Sequence, residues 1–165
     1  MRKWLVPFVV GAALLAGAGL WFARSRPVQT VAVSATPSQS VLQGLSAVVY
    51  KSPTCGCCAS YAEFLSKHGV SVEVVSSDAA LAQAKKDYGI PTTAQSCHTV
   101  VMDGYVIEGH VPLEALERLL SERPAIDGIA LPGMPVGTPG MPGPKQAPFE
   151  VLELDEGTSQ TFMTL

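Results

Sequence analysis

The chain is poor in charge. Asp, Glu, Lys and Arg make up 15% of its 165 residues, the net charge is −3, and there is no basic run. That excludes nucleic acid as a partner, because phosphate recognition needs a concentrated cationic surface. Charge is missing altogether from the apolar stretch 4–22, which Arg2 and Lys3 precede and Arg24 and Arg26 follow. Cysteine is scarce as well, with four in the chain, but its distribution is not that of a packing residue. Cys55, Cys57 and Cys58 fall within four positions, and Cys97 stands directly beside His98. The placement of cysteine usually follows its reactivity, so function is expected at these positions.

Length and a hydrophobic content of 47% predict one small domain with appendages. Residues 4–22 approach the roughly 20 that span a bilayer, whereas the apolar region of a cleaved signal peptide is about 7–15. An uncleaved signal anchor in residues 1–26 is therefore the favoured reading. A cleaved signal peptide is the alternative, although the small-x-small pattern Val33-Ser34-Ala35 lies well past the run. Either reading exports the remainder: periplasmic and held at the inner membrane in the first case, soluble in the periplasm in the second. In an oxidising compartment a thiol cluster persists as a disulfide, a redox pair or metal ligands.

Residues 27–44 carry Pro, Ser, Thr and Gly without periodicity and read as a tether before a domain at 45–123. A strand is expected at 47–51 and a helix at 59–68, with Tyr61, Phe64 and Leu65 as its inward stripe and Gly69 just past its end. A strand at 70–75 and a helix from an Asp78 N-cap to Tyr88 follow. Strands at 98–102 and 105–107 are joined by Asp103-Gly104, a strong two-residue hairpin signal. Pro112 opens a last helix, 113–121. The order β-α-β-α-β-β-α, with a right-handed parallel crossover at its start, predicts an α/β, thioredoxin-like three-layer domain. In that layout Pro91 takes the place of a proline that is usually cis and faces the cysteines. Residues 124–148 hold too much Gly and Pro for a helix or central strand, including the near repeat Pro132-Gly133-Met134-Pro135 and Pro139-Gly140-Met141-Pro142. Strand character returns at 148–154. The segment 124–165 is thus expected to be a Gly/Pro/Met-rich extension lying across the domain and ending in a strand.

The cysteines then sit where a strand turns into a helix, facing the positive end of the helix dipole, a setting that favours thiolate. Thiolate and thioether sulfur select Cu(I), zinc or iron–sulfur chemistry, and imidazole suits copper and zinc. The candidate ligands are Cys55, Cys57, Cys58, Cys97, His98, His110, Met134 and Met141. Other roles stay open for several of them. Cys55 and Cys58 form a C-x-x-C that serves equally as a structural disulfide or as a catalytic redox pair, and Cys97 could pair with Cys57. His98 is a ligand only if the backbone beside Cys97 is irregular, because neighbours in a regular strand face opposite ways. His68 reads as a solvated helix-terminal residue and Met102 as core. Cys57 interferes with clean dithiol exchange and is superfluous to a four-ligand zinc site. Three clustered thiols with a fourth nearby suit a multi-copper site, since thiolates bridge metals.

The sequence resembles the CopG-like family of exported bacterial proteins, a metal-binding domain of unknown function associated with copper resistance. The resemblance rests on Tyr50-Lys51-Ser52-Pro53-Thr54-Cys55-Gly56-Cys57-Cys58, on Ser96-Cys97-His98-Thr99 and on the run from Gly104 through Glu108-Gly109-His110 to Pro112. It extends through Gly128 to Pro135 and Gly140-Met141, and departs from the family at Thr93-Ala94-Gln95, which lacks a leucine. It implies a thioredoxin-like fold that binds copper through Cys55, Cys57, Cys58 and Cys97, with His98, His110, Met134 and Met141 contributing, and a role in copper redox handling. Copper ions, and other periplasmic copper-handling proteins, are the partners it implies.

Overall fold

The computed structural model describes residues 40–165. The expected anchor at 4–22 and most of the tether lie outside the described residues. Among the described residues no helix is long and apolar enough to cross a membrane.

Alternation sets the first strand: β1 (Ser46–Lys51) turns Ala47, Val49 and Lys51 to one buried face. It runs parallel to β2 (Ser71–Ser76), which the chain reaches through α1 (Gly56–Lys67). Next come α2 (Asp78–Asp87) and a short 3-10 turn (Thr92–Ala94). β3 (His98–Met102) then enters antiparallel to both β1 and β4 (Tyr105–Glu108). At the hairpin tip Asp103 and Gly104 take φ of 52° and 86°, the left-handed pair that a tight two-residue turn of this type requires. α3 (Leu113–Glu122) crosses to β5 (Gly128–Ala130), which lies parallel to β4. β6 (Glu150–Asp155) and β7 (Thr158–Thr164) close the chain as an antiparallel hairpin. The result is a mixed α/β domain with three α-helices and a seven-stranded sheet ordered β2-β1-β3-β4-β5-β6-β7.

One apolar core lies beneath α1 and α3, where Tyr61, Leu65, Leu116 and Leu119 pack on Val49, Val100, Ile107, Ile129 and Val151. On the other sheet face Ile90 and Ala94 cover Val106, Ala130 and Leu154. Lys85 of α2 reaches Thr99 and Glu108 on that second face. The strand ends that carry the functional side chains are therefore covered from both sides.

The structure departs from the sequence reading in several places. α1 begins at Gly56 rather than 59, so Cys57 and Cys58 belong to its first turn and Cys55 is the N-cap. Ser77, whose hydroxyl accepts from the Ala80 N–H at 3.3 Å, caps α2 in place of Asp78. There is no cis peptide among the described residues, so the Ile90–Pro91 bond is trans. The C-terminal extension contributes three strands rather than one. β5 is too short to show periodicity, and β7, a mostly polar edge strand, has little apolar alternation to read. Leu42, within the expected tether, is fully buried in the main core. Truncating it should therefore behave as a core deletion: Leu42→Ala is expected to cost about 2–5 kcal/mol in urea denaturation. Val41→Ala, at an exposed site, should stay within about 0.5 kcal/mol.

Candidate metal centre

The site begins at the turn after β1. The Cys55 N–H donates to the Ser52 carbonyl at 3.1 Å, and the Cys55 sulfur accepts from the Cys58 N–H at 3.3 Å, capping α1. Cys55 and Cys58 are joined as a disulfide with their Cα atoms 5.4 Å apart. Cys57 and Cys97 are free. The Cys57 sulfur lies 3.5 Å from that of Cys55, while Cys58 is fully buried with its sulfur 3.6 Å from the Cys97 carbonyl oxygen. All four sulfurs fall within 4.8 Å of one another.

A second cluster shares Cys97. Cys97 precedes β3 and is not part of it, and its sulfur lies 3.4 Å from His98 Nδ1 and 3.2 Å from His110 Nε2. The condition the sequence set for His98 is thus met: off the regular strand, the two neighbours turn toward one point. The ring planes of His98 and His110 stand at 89°, 4.7 Å apart, and Tyr61 lies 4.6 Å from His98. His110 Nδ1–H donates to the Pro139 carbonyl at 2.7 Å, which leaves its Nε2 lone pair directed at Cys97. His98 Nε2 is buried with no hydrogen-bond partner among the described residues.

The pinning of Cys97 comes from Glu108, fully buried at the end of β4. Its carboxylate accepts from the Lys85 ammonium, from the Ser96 N–H and, at 2.6 Å, from the Thr99 hydroxyl. The Ser96 hydroxyl in turn donates to the Gly133 carbonyl, so the C-terminal extension is tied to the residue before Cys97. Two glycines allow the segments to close. A Cβ at Gly109 (φ 79°) would stand 2.5 Å from the Leu131 carbonyl oxygen, and one at Gly140 (φ 81°) 2.7 Å from that of Cys57. Neither glycine tolerates replacement without moving backbone. Gly140 seats the extension against Cys57 and His110, and the next residue, Met141, is half-buried. Met134 is 52% exposed, on the loop that Gly133 anchors over Ser96.

The structure thus brings Cys55, Cys57, Cys58, Cys97, His98 and His110 together and lays both methionine loops across them. His68 caps its own helix, with Nδ1 2.7 Å from the Phe64 carbonyl, and Met102 is core. Glu108, Lys85 and Ser96 were not singled out in the sequence. The available signal was Glu108 itself, a charge two residues from Val106 and therefore on the same buried face.

Burial, reinforced by the neighbouring Cys57, pushes the Cys97 thiol up to about 11. A metal at Cys97 must therefore displace a proton. His98 moves the other way, from 6.5 to about 3, through burial and then the proximity of His110 and Lys85. Burial also lowers His110. Both imidazoles are consequently neutral, with a free electron pair, at ordinary pH.

A family profile described as "Protein of unknown function, DUF411" matches residues 94–141, the stretch from the 3-10 turn through the second Gly-Met-Pro loop. A comparison with functionally curated proteins returns no match. Two solved structures are similar, titled copper resistance protein copG, form 1 and form 2. The first is 35% identical over 73% of this chain and 97% of its own, at a TM-score of 0.66. The second is 36% identical over 73% of this chain and 98% of its own, at 0.65. A sulfur–imidazole cluster at a helix N-terminus of an α/β domain marks a metal-handling class of protein. Within it, the chain belongs to the CopG-like family of copper-resistance proteins.

The shift at His98 predicts how the metal-free protein responds to acid. A base whose folded pKa lies below its unfolded value binds fewer protons when folded. Its stabilising contribution is present above about 6.5 and is lost as the pH falls toward 3. Between pH 7 and pH 4 this amounts to about 3 kcal/mol. Urea midpoints should fall over that range, and His98→Leu should flatten the dependence. An unchanged slope in that variant would show that His98 titrates normally.

Proposed function

We propose that the chain is an exported copper-binding protein of copper resistance that holds Cu(I) in a multi-ion thiolate site and interconverts Cu(I) and Cu(II). The observation that carries this reading is the convergence of four sulfurs, with two neutral imidazoles sharing Cys97, at one helix N-terminus. The donor set fits: soft thiolates select Cu(I) and bridge ions, and imidazole accepts copper in either state. The orphaned His98 Nε2 marks a ring retained for its nitrogen, since a hydrocarbon would fill the position without the desolvation cost of about 1–3 kcal/mol. Copper is the substrate here. Cys55 and Cys58, when reduced, are the electron source. Two Cu(II) ions each take one electron, the two thiols form the Cys55–Cys58 bond, and two protons leave with two Cu(I) as product.

The order β1-α1-β2-α2-β3-β4-α3, with the C-x-x-C opening α1, supports a thioredoxin-like reading of this part of the domain. In that comparison Cys97-His98 stands where thioredoxins bring a proline, and Pro91 is displaced from β3 by the 3-10 turn. Export to the periplasm, with residues 4–22 as an inner-membrane anchor, completes the proposal.

Fully reduced protein loaded with Cu(I) under nitrogen is expected to retain more than one copper per chain after desalting. Less than one overturns the reading. Met134→Ala with Met141→Ala should weaken retention if the extension contributes thioethers. The Cys55–Cys58 disulfide favours one second reading, a thiol–disulfide oxidoreductase with half-buried Cys55 as nucleophile and buried Cys58 as resolving thiol. Insulin reduction that survives Cys57→Ser combined with Cys97→Ser would support it, and loss of turnover below about a tenth of wild type would count against it.

A further inference from the structure

With the Cys55–Cys58 bond closed, two of the four sulfurs cannot act as thiolates, so the thiolate site just proposed is dismantled. Four donors are untouched, the free Cys57 thiol and the trio Cys97, His98 and His110. Cys97, His98 and His110 each offer one ligand atom within 4.8 Å of the other two, and Cys57 is not in that group. One thiolate and two imidazoles around a point is the trigonal donor set that holds copper through a one-electron change, often with a weak axial thioether. We infer that the disulfide form of this chain keeps a separate site for a single copper ion, on Cys97, His98 and His110. This inference rests on the copper reading above, and the two sites share Cys97, so they form alternately.

The surroundings are built for such a site. The Pro139 carbonyl fixes the His110 tautomer so that Nε2 presents a lone pair toward the Cys97 sulfur. His98 is fully buried with Nδ1 3.4 Å from the Cys97 sulfur, and its ring is held between Tyr61 and His110. The Tyr61 hydroxyl is occupied by the Val111 carbonyl at 2.9 Å and does not compete. Neutral imidazoles add no proton for the ion to displace beyond that of Cys97. The Glu108 clasp on the Ser96 N–H holds the Cys97 backbone independently of the disulfide, so the three donors do not depend on Cys55 and Cys58 for their positions. The state of the Cys55–Cys58 pair therefore sets the copper capacity of the chain: one ion on mixed nitrogen–sulfur donors when oxidised, several on thiolates when reduced.

The test uses the full-length chain carrying Cys57→Ser with the disulfide intact, which leaves Cys97 as the only free thiol. Cu(II) is added alone as the probe. The expected result is one copper per chain, an intense visible thiolate-to-Cu(II) band, and protection of Cys97 from alkylation by roughly tenfold or more. Cys97→Ser should abolish the band, and His110→Gln should shift or weaken it. The alkylation readout needs no substitution in the trio, so it decides the matter even if those variants fold poorly. Unprotected Cys97 at saturating Cu(II), or a spectrum indifferent to Cys97→Ser, overturns the inference. Reduced wild-type protein loaded with Cu(I) runs alongside. Multi-ion retention there with no copper on the disulfide form refutes the separate site alone, whereas failure of both refutes the copper reading as well.

Discussion

Everything at the centre depends on one buried carboxylate. Glu108 has no exposure, and an unpaired charge there would carry a desolvation cost of several kcal/mol. Its donors offset that cost, and each of them does positional work. Lys85 ties α2 to the sheet, Thr99 ties β3 to β4, and the Ser96 N–H tethers the backbone immediately before Cys97. Burial pushes the Glu108 carboxyl up while Lys85 and the other donors hold it down. The last of the three bonds has the chemical consequence. A strand that ran regularly through 97 and 98 would send the thiol and the imidazole to opposite faces. Because Ser96 is drawn to Glu108, β3 starts only at His98, and Cys97 turns its sulfur back toward His98 and His110.

The same strand end organises the C-terminal extension. Leu131 N–H donates to the Glu108 carbonyl at 2.9 Å, and the Ser96 hydroxyl donates to Gly133, so the chain leaving β5 is sewn to both neighbours of the clasp. From there the extension passes over the cluster and returns as β6 beside β5. A segment pinned at both ends in this way needs no helix or strand of its own to be ordered. Its turns hold instead through bonds such as Gly137 N–H to the Met141 carbonyl, and Gly140 lies close enough to Cys57 that no side chain would fit. The extension is better described as the outer wall of the site than as an appendage.

Much of this was legible in sequence because it is local. A strand, a Cys-rich turn and an amphipathic helix are written within about 25 consecutive residues, so the placement of Cys55, Cys57 and Cys58 at a helix start follows from pattern alone. The Asp103-Gly104 hairpin and the return of strand character before 154 are local in the same sense. What was not legible depends on distant partners. Whether His98 faces Cys97 is decided by Glu108, ten residues on, and by Lys85, thirteen residues before. β5 needs β4 and β6 beside it to exist, and β7 is an edge strand whose polar residues are held by backbone pairing rather than by an apolar face. Leu42 reads as linker because it lies in a Pro-, Ser-, Thr- and Gly-containing stretch without periodicity, yet it fills the core beneath α1 and α3.

The geometry also explains why a thioredoxin-like C-x-x-C would be a poor exchange site in this chain. Disulfide exchange needs an accessible attacking sulfur and room for a mixed disulfide with a partner protein. Here Cys55 is flanked by the Cys57 thiol at 3.5 Å, Cys58 is buried against the Cys97 carbonyl, and the outer wall is seated on the Cys57 carbonyl through Gly140. A partner chain would have to displace that wall, whereas a metal ion would not. The same features bring four sulfurs and two buried imidazoles together at one helix N-terminus, donors that could hold a metal ion. Cys57, the thiol least useful to exchange, stands beside Cys55 at the point where the sulfur ring meets the wall.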